Sequence, residues 1–161
     1  MKDNLIARIA VFAIACVIAL SSLAACNGNG TSSKSDSGSA STASVDKNST
    51  GLWKNAKYKE DTEIGIGAKT VKVEVKANDG AVTFTIHTDA DTLGKALLDN
   101  KLVEGDNGEF GLYIKKVNGI AADYNKDKAY WALSKDGAYS ETGADSINIA
   151  DGEHYELTYT K

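Results

Sequence analysis

Between residues 70 and 87, apolar and polar positions alternate with a period of two. Val71, Val73 and Val75 stand against Lys72, Glu74 and Lys76, and then Val82, Phe84 and Ile86 against Thr83, Thr85 and His87. Successive side chains of a strand point to opposite faces, so each half predicts a strand with one buried and one solvated face. Asn78-Asp79-Gly80 between them tolerates positive φ, and the two halves read as a tight hairpin. The period then lengthens. Leu93, Ala96 and Leu97 stand at i, i+3 and i+4, which predicts a short helix capped by Asp89 or Asp91 and ending around Asn100.

Beyond the helix, Gly105-Asp106-Asn107-Gly108 predicts a turn, Leu112 to Val117 a strand, and Asn118-Gly119 a second turn. Tyr130 to Leu133 predicts a short strand closed by Asp136-Gly137. Two apolar stretches follow, Ile147 to Ile149 and Tyr155 to Tyr159, the latter with Tyr155, Leu157 and Tyr159 inward, separated by Asp151-Gly152. A hairpin, a helix and then further strands is an α+β order. The chain has no proline, so every bend falls to Gly, Asn, Asp and Ser.

The N-terminal pattern is different. Lys2 and Arg8 precede an apolar run of twelve residues, Ile9 to Leu20, and Leu23-Ala24-Ala25-Cys26 then has the form of a lipobox. A bilayer core of roughly 30 Å needs about 20 apolar residues, so the run reads as a lipoprotein signal peptide over residues 1–25. Cys26 becomes the lipidated N-terminus, which puts the protein on the extracytoplasmic face of the cell membrane. An uncleaved anchor, the rival reading, also leaves the rest of the chain outside the cytoplasm. Residues 27–50 are Ser, Gly, Asn and Thr with scattered charge and no hydrophobe larger than Val45. Such a stretch buries too little to order itself, so residues 26–52 are expected to form a disordered tether reaching about 25 to 30 Å. The folded domain is assigned to residues 53–161.

Charge and cysteine usage narrow the function. Cleavage removes Lys2, Arg8 and Asp3, leaving 16 basic against 21 acidic residues. An acidic protein of this kind is a poor ligand for nucleic acid or anionic lipid. Cys16 leaves with the signal and Cys26 is consumed by lipid, so no disulfide, thiol nucleophile or thiolate metal site is expected in the mature chain.

No serine has a nucleophile-elbow context and no glycine-rich loop has phosphate-cradling spacing, so no catalytic residue and no enzyme is expected. His87 and His154 fall on the polar phase of their strands, where they read as solvated surface residues. Asp123, Asn125 and Asp127 have the alternate spacing of a calcium loop, but Lys128 replaces its turn glycine and Ser134 its bidentate glutamate, so no metal site is expected. Tyr113, Tyr130, Trp131 and Tyr139 gather in one third of the chain, where planar rings suit either a flat ligand or the sheet's own packing.

The run Gly111-Leu112-Tyr113-Ile114-Lys115-Lys116-Val117-Asn118-Gly119-Ile120, followed by Ala129-Tyr130-Trp131-Ala132, Gly143-Ala144-Asp145 and Asp151-Gly152, resembles the transcobalamin-like C-terminal domain family. The hairpin at 70–87 and the Thr92 to Leu98 helix occupy matching places, so the resemblance covers about residues 53–161. It implies a β-grasp-like mixed sheet with one short helix. In the cobalamin carriers of animals this domain is one of two that close over the corrinoid, the other being a larger helical domain. The resemblance therefore implies small-ligand binding, with cobalamin as the specific ligand and no other cofactor. Tyr113, Asn118, Gly119, Tyr130 and Trp131 are the candidate contacts, and a membrane transporter or a separate helical-domain protein is the partner that would complete the site. The alternative is a surface module that holds a protein or envelope partner without a small ligand.

Overall fold

The structure, a computed structural model, describes residues 45–46, 50–78, 80–109 and 111–161. The signal peptide, Cys26 and nearly all of the expected tether lie outside the described residues. Within the stretch expected as tether, the Val45 N–H donates to Lys59 O at 2.8 Å and its side chain packs at the edge of the core.

The strands are β1 (Thr62–Gly65), β2 (Lys69–Ala77), β3 (Gly80–Thr88), β4 (Val103–Gly108), β5 (Gly111–Val117), β6 (Ile120–Ala121), β7 (Tyr130–Lys135), β8 (Ala138–Tyr139) and β9 (His154–Thr160). Helix α1 spans Leu93–Asp99 and the single-turn α2 spans Tyr124–Asp127. A six-stranded sheet runs in the order β1-β3-β2-β9-β7-β8, and a three-stranded sheet in the order β4-β5-β6. Two pairings in the large sheet are parallel, β1 with β3 and β2 with β9, and the rest are antiparallel. The α+β expectation of a mixed sheet with a short helix against it holds.

The alternating pattern sets the core. Val71, Val73, Val75, Phe84 and Ile86 are fully buried on one face of the β2–β3 hairpin. Tyr155 and Leu157 from β9 continue that face, and Leu93, Ala96 and Leu97 of α1 pack into the same cluster. Asn118-Gly119 and Asp136-Gly137 each form the two-residue turn of a hairpin with positive φ throughout, 50° and 83° in the first and 49° and 81° in the second. That is the backbone a type I′ turn needs, and its twist matches the flanking strands.

Several expectations change. The helix cap is Thr92, whose hydroxyl accepts from Lys95 N–H at 3.4 Å, because Asp89 instead accepts from Ala68 N–H at 2.8 Å. Residues 105–108 form part of β4 rather than a turn. Gly105 there sits at a register shift, so close to Tyr113 that a Cβ would lie 2.2 Å from its carbonyl oxygen. Residues 147–149 make only an isolated bridge, Thr92 to Asn148, in place of a strand. The alternate-oxygen loop is α2: Asp123 caps it by accepting from Asn125 and Lys126 N–H, and the Lys126 ammonium, 3.2 Å from Oδ2, is the main cause that holds its carboxyl below the usual range, followed by the Lys126 N–H bond. Its Oδ1 faces the backbone and its Oδ2 the Lys126 ammonium.

Candidate functional site

Strands β5 and β7 diverge around a cleft of about 460 Å³, closed on its far side by residues 139–144. Leu112, Trp131 and Leu133 form an apolar floor, while Tyr113 and Tyr139 stand on the rim, 46% and 66% exposed. Tyr130, at the start of β7, borders the same space.

Alternation along β7 decides the role of each ring. Trp131 points to the core side and is 7% exposed, fixed edge-on against Tyr159 with centroids 5.6 Å apart at 82°. Burial pushes the Tyr159 hydroxyl up, so this partner stays neutral at ordinary pH. The indole Nε1 of Trp131 is buried and has no hydrogen-bond partner among the described residues.

Of the residues expected to touch a ligand, Tyr113, Tyr130 and Trp131 come together here, but Asn118 and Gly119 do not line the cleft. Asn118 is fully buried, and a Cβ on Gly119 would lie 2.4 Å from Asn55 O. Tyr139 was noted in the sequence as an aromatic but not as a contact. The loop that brings it to the rim is tied back to β7 by Ser140 N–H donating to Leu133 O at 2.9 Å.

Tyr113 also borders a second hollow of about 530 Å³, between β4, β5 and α2. Its charges neutralise one another: Lys115 bonds Asp106, and Lys116 bonds Glu104 at 2.7 Å. Little there remains for a ligand.

Both histidines, expected as solvated, have partners. His87 Nδ1 lies 3.2 Å from Thr70 Oγ1, and its Nε2 meets Glu63. His154 stands beside Glu156 and Asp136, with Nδ1 4.0 and 3.9 Å from their carboxylates. The i, i+2 spacing of His154 and Glu156 was visible in the sequence, but the strands that complete each group were not.

Comparison with known proteins places the domain. Residues 90–161 match the family model described as a domain of unknown function, DUF4430. A candidate metal binding protein from Ruminococcus gnavus ATCC 29149 is 36% identical over 58% of this chain and 98% of its own, with a TM-score of 0.55. Haptocorrin in complex with Cbi is 24% identical, with a TM-score of 0.47, and the chain covers 25% of its length. That likeness is too distant to carry an argument about ligands. No curated protein matches. Neither the family model nor the Ruminococcus gnavus protein is described by the transcobalamin-like name that the sequence suggested. The chain belongs to the family of the Ruminococcus gnavus protein, and its residues 90–161 match the DUF4430 model.

Proposed function

We propose that this protein is a lipid-anchored extracytoplasmic module that captures a small, flat ligand in the cleft between β5 and β7. The observation that carries the reading is the cleft itself, with tyrosines on its rim and an apolar floor of Leu112, Trp131 and Leu133. About 460 Å³ falls within the range of small-molecule sites, which are concave, mainly apolar and carry few polar groups. Aromatic rims suit planar ligands through stacking and edge contacts.

A corrinoid is the most specific candidate. It is larger than this cleft, so one of its faces would remain open to a second protein, either a helical-domain partner or a membrane transporter. Anchoring through Cys26 would then raise the effective concentration of this half-site near a membrane-bound partner. The Ruminococcus gnavus relative is described as a candidate metal binder, which supports a binding role here without fixing the ligand.

Purified full-length chain mixed with cobalamin is expected to shift the corrinoid absorption band and to co-elute with it. Absence of both at tens of micromolar, where a Kd near 10 μM would still register, overturns the corrinoid reading. A second reading, a module that docks a protein partner, draws on the exposure of Tyr113, Tyr124 and Tyr139. Crosslinking on intact cells separates the two, since a reproducible protein partner without small-ligand binding favours the second.

A further inference from the structure

The outer face of the six-stranded sheet gathers charges from distant parts of the chain. Glu74 on β2 is the register partner of Glu156 on the parallel strand β9, and His154, two residues before Glu156, shares its face. One ligand atom from each of the three lies within 4.8 Å of the others. Two carboxylates this close call for a cation, because like charges at short range disfavour joint ionisation.

At present Lys76 provides one, its Nζ 2.9 Å from Glu74 Oε2 and 3.9 Å from Glu156 Oε1. Asp136 adds a further carboxylate, Oδ1 3.9 Å from His154 Nδ1, and its backbone N–H donates to His154 O at 3.3 Å. Lys72, the register partner of His154 on β2, shares this face, so three carboxylates stand against two lysines and the patch remains negative when the imidazole is neutral.

We propose that Glu74, His154 and Glu156 form a binding site for a divalent first-row metal ion, with Zn²⁺ the best match, and that the ion displaces Lys76. The donor set selects the metal. One imidazole nitrogen with two carboxylate oxygens suits zinc and its neighbours, whereas calcium needs six to eight oxygens and magnesium a near-ideal octahedron. Zinc takes nitrogen and oxygen ligands at about 2.0–2.2 Å, so donors sit roughly 3–3.5 Å apart around it. Closing from 4.8 Å asks for about 1 Å of side-chain rotation, which half-buried glutamates on a solvent-facing sheet can make. Lys76 is 39% exposed and its flexible stem lets the ammonium swing into water. The strands fix the rest: His154 and Glu156 are held by a shared backbone, and Glu74 by the β2–β9 ladder. No residue of this group lines the cleft, so the two sites stand or fall separately.

The test is calorimetric titration of the full chain with ZnCl₂, beside MgCl₂ and CaCl₂. Wild-type protein is expected to bind one Zn²⁺ saturably, with no saturable magnesium or calcium binding in the same concentration range. His154→Ala and Glu156→Gln should each weaken zinc binding about tenfold or more, by loss of one of three ligands. Lys76→Met should tighten it several-fold, which a merely structural charge cluster would not do. Tyr139→Ala should bind zinc like wild type. Thermal unfolding without metal checks that each variant is folded, and Glu74→Gln serves in place of any that is not. Absence of saturable zinc binding overturns the proposal, as does binding that survives His154→Ala and Glu156→Gln, the result expected if Cys16 or Cys26 were the ligand.

Discussion

Asn118 clasps Tyr58 by both of its backbone polar groups: Tyr58 N–H donates to Asn118 Oδ1 at 2.9 Å, and Asn118 Nδ2 donates to Tyr58 O at 2.8 Å. The backbone of Asn118 adds two more bonds, its N–H to Leu102 O at 2.8 Å and its carbonyl from Lys57 N–H at 2.9 Å. One turn residue thereby ties the N-terminal segment to the end of the three-stranded sheet where β4 begins and β5 ends. Asn118→Ala would leave a partly buried donor and acceptor unmet and put a Cβ-bearing residue without local hydrogen bonds at φ 50°. The expected loss is about 2–3 kcal/mol, read as a lower urea midpoint with an unchanged slope. Asn118→Gly should relieve the backbone cost and keep most of that loss.

Gly94 admits a carboxylate into the side of α1. A Cβ there would lie 2.0 Å from Asp145 Oδ1, while Oδ2 of the same group accepts from Leu112 N–H at 2.7 Å and so pins the start of β5. In an open helix Gly→Ala gains up to about 1 kcal/mol, but here the displaced carboxylate outweighs it, and Gly94→Ala is expected to cost about 1–3 kcal/mol. Leu112 and Tyr113 border the cleft, so any ligand affinity should fall with it. Paired unfolding and binding measurements on the variant check both effects.

Glu153 is a carboxylate that its neighbours hold ionised. A hydrogen bond from Lys135 first, and then one from the Tyr155 hydroxyl at 2.6 Å, hold its pKa at about 2 against an ordinary 4.5. The folded value lies below the unfolded one, so this contribution is complete above about pH 4.5 and is lost as pH falls through about 2. Urea midpoints measured from neutral pH into that window should decline less steeply in Glu153→Gln than in wild type. Equal slopes would show that the pair adds nothing.

The cleft is better tested at its rim than at its floor. Trp131→Ala removes a buried indole and is expected to cost about 3–5 kcal/mol of stability, which would obscure any effect on binding. Tyr139→Ala and Tyr113→Ala remove exposed rings and should leave the unfolding midpoint within about 0.5 kcal/mol of wild type. Each is expected to weaken ligand binding about three- to tenfold, the worth of one aromatic contact, in the same absorption titration.

Much of the local architecture was legible. The hairpin at 70–87, the apolar stripe of α1, the inward set Tyr155, Leu157 and Tyr159, and the Asn-Gly and Asp-Gly turns all follow from interactions a few residues apart. Errors came where a distant partner overrode the local signal. Asp89, a fair helix cap by position, is spent on Ala68. Gly105 reads as a turn residue, yet its lack of a Cβ serves a close approach to Tyr113. The aromatic cleft was half visible, because alternation separates Tyr130 from Trp131 but cannot say which of them faces β5.

By itself, the sequence determined the strand phases, the turn backbones and the N-terminal lipobox pattern, since period, positive φ and apolar run length are properties of neighbouring residues. Only the tertiary structure decided that β2 lies parallel to β9, and with it that Glu74 meets His154 and Glu156 across some eighty positions of chain. Parallel pairing has no turn to announce it. It is chosen by whichever arrangement best buries the inner faces, here Val73 and Val75 beside Tyr155 and Leu157, and the outer charges are carried into company by that choice.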